Sequence, residues 1–327
     1  ALAQAYADCK DPDRAVTTYG LALATATGND ALNIRLSRAD VLYNAGRFAE
    51  AAADYGAAAE AQDPELTTRA KYWLGNSQYQ QALAKKDKAL FTAAIAGFRR
   101  FLEAAGPKHP QAARATLLIG LCQEELAELG EVGARQQAVT AFTQLLTAWP
   151  AAREAQEATA GIDRQTAAMN ATELAGVMGA LPAGAAAWNA ALRLARDQYQ
   201  AGKFDDCIAT AQKLLATKPA ADTAAKAAYL VAIALMRQDR SKDALPYFKQ
   251  ALADGPAELK ESAQRGLVQA LLALKQFREA QTAAAALVQL PAEGTTPAER
   301  QAQLAERLLL EIRKLTRQPV THVIVTH

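Results

Sequence analysis

The chain of 327 residues is short of the marks by which most enzymes announce themselves. It has no His-Glu-x-x-His, no glycine-rich phosphate loop ending in Lys-Ser/Thr and no Gly-x-Ser-x-Gly turn, so the usual signatures of zinc hydrolysis, nucleotide binding and serine chemistry are missing. Histidine occurs only three times. His109 sits in the turn Gly106-Pro107-Lys108-His109-Pro110, where a surface loop side chain is expected. His322 and His327 have no Cys or acidic residue near them in sequence to share a zinc ion. An enzyme is therefore disfavoured, and neither a cofactor nor a metal is expected.

Three cysteines, Cys9, Cys122 and Cys207, lie far apart without a Cys-x-x-Cys, which argues against a disulfide framework and for small buried thiols. No run of 18 apolar residues occurs, so the chain has no transmembrane span. Lys plus Arg number 36 against 34 for Asp plus Glu, and this balance gives no general attraction to nucleic acid or an acidic membrane. The short basic patches Lys85-Lys86-Asp87-Lys88 and Arg99-Arg100 lack interleaved aromatics, and the acidic run Glu124-Glu125, Glu128, Glu131 reads as a solvated helix face. Aromatics make up only 6% while hydrophobic content is 51%, much of it Ala. Helices packed closely through small side chains fit that balance better than a sheet.

What the chain does have is one helical pattern, repeated. Ser241-Lys242-Asp243-Ala244-Leu245-Pro246-Tyr247-Phe248 is followed by Gln276-Phe277-Arg278-Glu279-Ala280, with Ala284 and Leu287 on the same helical face. Ala244 and Ala280 lie 36 residues apart, and Gly202-Lys203-Phe204-Asp205-Asp206-Cys207 places Cys207 37 residues before Ala244. Each copy has a polar break, a small residue, then apolar residues four and seven further on, which forms one stripe along a helix. The small residue marks a close approach of a neighbouring helix. A leucine at Ala244 or Ala280 would cost about 1–3 kcal/mol by overpacking.

This pattern resembles the tetratricopeptide repeat family, whose unit is about 34 residues with small residues at fixed places on two paired helices. Gly46-Arg47-Phe48-Ala49-Glu50-Ala51, followed by Tyr55 and Ala58, is the most complete local match, and Tyr72-Trp73-Leu74-Gly75 matches the first helix of a pair. The resemblance implies an all-α, TPR-like superhelix, a right-handed solenoid of about eight helix pairs with a C-terminal capping helix. A front array spans 1–150, a degenerate repeat or helical linker 151–183, a regular array 184–291, a capping helix 297–317 and an extended tail 318–327.

Several local features add to that outline. Asp11-Pro12 and Asp63-Pro64 each supply an N-cap followed by proline at the first helical position. The third and fourth repeats carry extra residues near 85–88 and 129–135, which either lengthen the first helix of the pair or form a loop. Gly161, Gly176 and Gly179 mark 151–181 as a bend, with Pro182-Ala183-Gly184 as a turn. Thr296-Pro297-Ala298-Glu299 opens the capping helix, buried through Leu304, Leu308, Ile312 and Leu315. The tail with Val323-Ile324-Val325 reads as loosely packed or disordered, as a strand added to a partner, or as an appended stretch. The chain begins at Ala1 without Met and in helical register, which leaves a signal peptide, lipid anchor or upstream domain open.

The family's first helices line the concave side of its superhelix, and carrying its groove positions over names Asp40, Tyr43, Arg69, Tyr72, Asn76 and Tyr79 in front. In the back half they are Arg196, Tyr199, Tyr229, Arg265 and Gln269. The resemblance implies a non-catalytic interaction scaffold that holds a protein or peptide segment in this groove. Tyr72 stands where the family's carboxylate clamp has lysine, a departure that points away from a chaperone-tail clamp. Phe98-Arg99-Arg100-Phe101-Leu102 followed by Pro107 is similar in style to bacterial envelope repeat scaffolds, which suggests the periplasm or cell envelope, with the cytoplasm next. A monomer is favoured, against a self-assembling component that acts through the solenoid ends or the tail.

Overall fold

The structure, a computed structural model, describes residues 1–288. The proposed capping helix and the tail with His322 and His327 lie outside the described residues. Among the described residues there are sixteen α-helices and no strand, arranged for the most part as consecutive helix pairs that resemble tetratricopeptide repeats. They fall into two compact units that divide between Pro182 and Ala183. The first holds α1 (Leu2–Asp8), α2 (Pro12–Leu23), α3 (Gly28–Asn44), α4 (Phe48–Ala59), α5 (Pro64–Lys85), α6 (Lys88–Ala105), α7 (Ala112–Glu128), α8 (Ala134–Ala148), α9 (Ala155–Ala168) and α10 (Ala171–Val177). The second holds α11 (Ala185–Gln200), α12 (Phe204–Ala216), α13 (Ala221–Arg237), α14 (Ser241–Asp254), α15 (Ala257–Ala273) and α16 (Phe277–Val288). Odd-numbered helices are the first of each pair. Several also touch the next first helix: α3 touches α5, α7 touches α9, and α13 touches both α11 and α15.

Local chemistry sets the helix ends. The Asp11 carboxylate accepts from the backbone N–H of Arg14, and Asp63 accepts from those of Glu65 and Leu66, each with proline at the first helical position. Asp87 caps α6 in the same way, and Asn170 with Glu173 forms a full capping box on α10. The turn inside most pairs is one repeated device. A residue in the left-handed region and its successor donate to the last carbonyls of the first helix, as in Gly46 to Tyr43 and Arg47 to Leu42, or Lys275 to Leu272 and Gln276 to Leu271. Glycine fills this place at Gly46 and Gly202, whereas Lys10, Asp239 and Lys275 adopt it despite their side chains.

Packing explains the small residues. Ala51, Ala94, Ala138, Cys207, Ala244 and Ala280 are all fully buried. Glycines do the same work against phenylalanine rings. Gly75 faces Phe98, and Gly120 and Gly161 close on Phe142 from α7 and α9. Gly266 on α15 faces Phe248, and a Cβ at any of these glycines would run into the ring. Gly161 therefore belongs to the core of α9, where it seats Phe142, instead of marking a bend.

Two other expectations are corrected. Cys9 is exposed just beyond α1, so only Cys122 and Cys207 are buried thiols. The acidic run is solvated at Glu128 and Glu131, as expected, but partly covered at Glu124 and Glu125, and each member meets a cation from elsewhere in the unit. Glu124 accepts from Arg164 at 2.8 Å, Glu125 from Lys86 at 2.6 Å and Glu131 from Lys88 at 3.3 Å, while Glu128 lies 3.7 Å from Arg135. The extra residues of the third repeat thus lengthen α5 to Lys85 and set Lys86 and Lys88 against this run. In the fourth, α7 keeps the 17 residues of α3 and ends at Glu128, and a short loop over 129–133 precedes α8.

Candidate partner-binding surface

In the first unit the proposed groove residues are engaged with one another. Asp40 on α3 takes an ion pair from Arg69 on α5 and a hydrogen bond from the Tyr55 hydroxyl on α4. Tyr43 is half-buried, its ring edge-on to Phe48 at 5.2 Å and to Trp73 at 5.1 Å. Burial pushes its hydroxyl pKa up. Tyr72 is only 7% exposed and packs on Phe98 and Phe101, at 6.2 and 5.1 Å between ring centres. Asn76 is 8% exposed and spends its amide on the Tyr72 carbonyl at 2.9 Å. Tyr79 lies half-buried near Phe91, and burial pushes its pKa to about 12. Of the six front residues, Tyr72 and Asn76 thus belong to the packed interior and offer a partner little surface.

Neighbouring first helices in this unit are tied together as well. Arg114 on α7 lies 3.7 Å from Glu157 on α9, and Glu124 accepts from both Arg164 and Gln165 of α9. Behind them, Arg38 grips the buried Asp54 through two bonds of 2.6 and 2.5 Å. Such partly buried, two-point charge pairs fix helix spacing, and removing one partner strands the other.

The second unit is arranged differently. Its five proposed residues, Arg196, Tyr199, Tyr229, Arg265 and Gln269, all line two adjoining hollows that share Tyr229. One hollow, of about 450 Å³, lies over α13 and α15 and is bounded by Tyr199, Ile233, Met236, Arg237, Arg265 and Gln269. The other, of about 420 Å³, has Leu192, Leu230, Pro256 and Leu259 as its apolar walls and Arg196, Lys226, Asp222 and Glu258 at its edges. Both have the size of ordinary ligand pockets but open to solvent.

Tyr229 is held edge-on to Phe248, with ring centres 6.3 Å apart, and burial raises its pKa while the Ser262 side chain opposes that rise through a hydrogen bond. Gly266 is what lets Phe248 come so close to α15. Arg237 donates from Nε to the Tyr199 hydroxyl at 3.1 Å, and Arg265 is braced by Glu261 at 2.6 Å. Half-buried rings with bracing cations offer apolar area and hydrogen bonds at little entropic cost.

Sequence mapping missed several lining residues. Arg237 is the last residue of α13 and falls one place past Met236, the last groove position on that helix. Asp222 and Glu258 come from first turns that begin well before those positions. The Asp222–Lys226 pair, four residues apart and 2.6 Å in contact, was the one sequence signal that α13 starts so early. Among the described residues, no group of three or more His, Cys, Asp or Glu side chains gathers as a metal site, and no helix is long and apolar enough to cross a membrane.

The tetratricopeptide repeat family model matches residues 36–90 and 192–258. No curated protein matches the chain. Solved structures with similar folds include the TPR2AB-domain:pHSP90 complex of yeast Sti1, 15% identical, which covers 87% of this chain and 99% of that one with a TM-score of 0.38. A tetratricopeptide repeat protein from Parabacteroides merdae is 16% identical and covers 82% and 96%, with a TM-score of 0.37. No residue assignment follows from likeness at this level.

Proposed function

We propose that the chain is a non-catalytic interaction scaffold that binds a peptide or protein segment on the first-helix face of its second unit. The observation that carries this reading is the convergence of Arg196, Tyr199, Tyr229, Arg265 and Gln269 on two joined, open hollows. Rings and long cationic side chains that are only partly buried are the residue types that anchor partners. The front residues Asp40, Tyr43, Arg69 and Tyr79 contribute, at most, a secondary surface, since their polar and aromatic groups are already in use.

Capture of proteins from native extract, with the intact chain beside Tyr229→Ala, tests this. A partner held by the intact chain and lost from the variant, with helicity by circular dichroism unchanged, is the expected outcome. Equal capture by both would overturn it.

We further propose a monomer in the periplasm or cell envelope of a bacterium. The support for the envelope is the Phe98-Arg99-Arg100-Phe101-Leu102 stretch and its likeness in style to envelope scaffolds. Cell fractionation and light scattering check the two points, and a cytoplasmic pool or a stable dimer would contradict them.

A further inference from the structure

The two hollows differ in charge. In the one over α13 and α15, the charged lining groups among the described residues are the guanidinium groups of Arg237 and Arg265. Its other polar groups are hydroxyls and amides, and the Tyr199 oxygen already accepts from Arg237 Nε, which leaves the Tyr199 O–H to donate outward. Glu261 braces Arg265 without lining the hollow. The second hollow balances two cations, Arg196 and Lys226, against Asp222 and Glu258, and its floor is aliphatic. Hydrogen-bond donors thus converge on one side of Tyr229 and apolar walls on the other.

Resting on the reading above, we infer that the bound segment carries a Glu or Asp side chain seated between Tyr199, Arg237 and Arg265, and an aliphatic residue seated on the half-exposed Pro256 and Leu259 across Tyr229. Charge complementarity argues for the carboxylate. A guanidinium presents paired N–H groups that match it; Arg265 gives one of its groups to Glu261 and keeps the others, and none of the described residues that line the hollow is a carboxylate. An aliphatic side chain fits the second hollow because covering the half-exposed Leu259 and Pro256 is favourable, whereas a second acid there would meet Asp222 and Glu258. The shared ring of Tyr229 sets the spacing between the two anchors.

The test pans a phage-displayed random heptapeptide library on the full chain. One recovered peptide and its Glu→Gln or Asp→Asn analogue are then measured by fluorescence anisotropy against the chain, Arg237→Gln, Arg265→Gln, Tyr229→Ala and the outward-facing control Lys249→Gln. Circular dichroism confirms that each variant is helical. The expected result is a consensus with one acid and one aliphatic residue, a tenfold or greater loss in each arginine variant, and no loss in the control. Removing the peptide's acid should then cost little more in an arginine variant, because both changes delete the same contact. Peptides that need Tyr229 but no acid would overturn the inference and leave the proposed binding face standing. No recovered peptide, or peptides indifferent to Tyr229→Ala, would overturn both.

Discussion

The same repeat is used in two ways in this chain. In the first unit, helix faces that could receive a partner are stitched to one another, by Asp40 with Arg69, by Glu124 with Arg164 and Gln165, and by the cluster of Tyr43, Trp73 and Tyr72. In the second, the equivalent faces are braced mainly within a helix, as by Lys226 with Asp222 and Arg265 with Glu261, with Arg237 to Tyr199 as a bond between first helices, and hollows are left between helices. A repeat position fixes where a side chain points. Whether that side chain remains available depends on the bulk and charge of the next repeat. Tyr72 illustrates this: Phe98 and Phe101 on α6 and Trp73 on α5 enclose it, whereas among the described residues Tyr229 packs on one ring, that of Phe248.

Removing the Phe142 ring breaks the front unit most severely, because Gly120 and Gly161 are both shaped to it and neither can fill the space. Phe142→Ala should cost about 3–5 kcal/mol, read as a fall in the denaturant midpoint. Tyr72→Ala and Tyr229→Ala sharpen the contrast between the units. The first should lose about 3 kcal/mol of stability, as for a buried ring, and the second less, since Tyr229 is only half-buried. Similar losses from the two would erase the distinction between an interior and an available tyrosine.

Overpacking the back unit comes next. Ala244→Leu or Ala280→Leu should cost about 1–3 kcal/mol, and an unchanged melting temperature would show that the helices are not in close contact there. Thiol reactivity adds a readout without mutation. Burial pushes the Cys207 thiol up to about 11 and that of Cys122 higher still, so at pH 8 both stay protonated and covered. Cys9 alone should react with a disulfide reagent in the native chain, and all three after unfolding. The smallest effect is at a turn. Lys275→Gly should stabilise by about 0.5–1 kcal/mol, since glycine takes the left-handed backbone without the side chain's penalty.

Much of this fold was legible in the sequence because the repeat speaks locally. The spacing of Ala51, Tyr55 and Ala58 predicts one buried stripe, and all three are buried. Asp-Pro pairs at 11–12 and 63–64 predict helix starts, and α2 and α5 begin there. Less legible were contacts between residues far apart in sequence. The run from Glu124 to Glu131 looks solvated until Lys86, Lys88 and Arg164 are brought to it from other helices. The buried Arg38–Asp54 pair has the same character, with each partner on a different helix. Gly161 read as a bend because glycine so often is one, and only the ring of Phe142 beside it reveals its packing role. Four of the candidate groove residues gather around a fifth, Tyr229, while Tyr72 is drawn inward by the rings of Phe98 and Phe101 on another helix and Asn76 is buried against the Tyr72 carbonyl.

The measurement that tests the central claim most directly is photo-crosslinking of a library-selected peptide, carrying a benzophenone side chain, to the full chain, with the labelled residues read by mass spectrometry. Labels on α11, α13 and α15, around Leu192, Tyr229 and Gln269, are the predicted result. Labels confined to α3 and α5, around Asp40 to Tyr79, would contradict it and place the working face in the first unit.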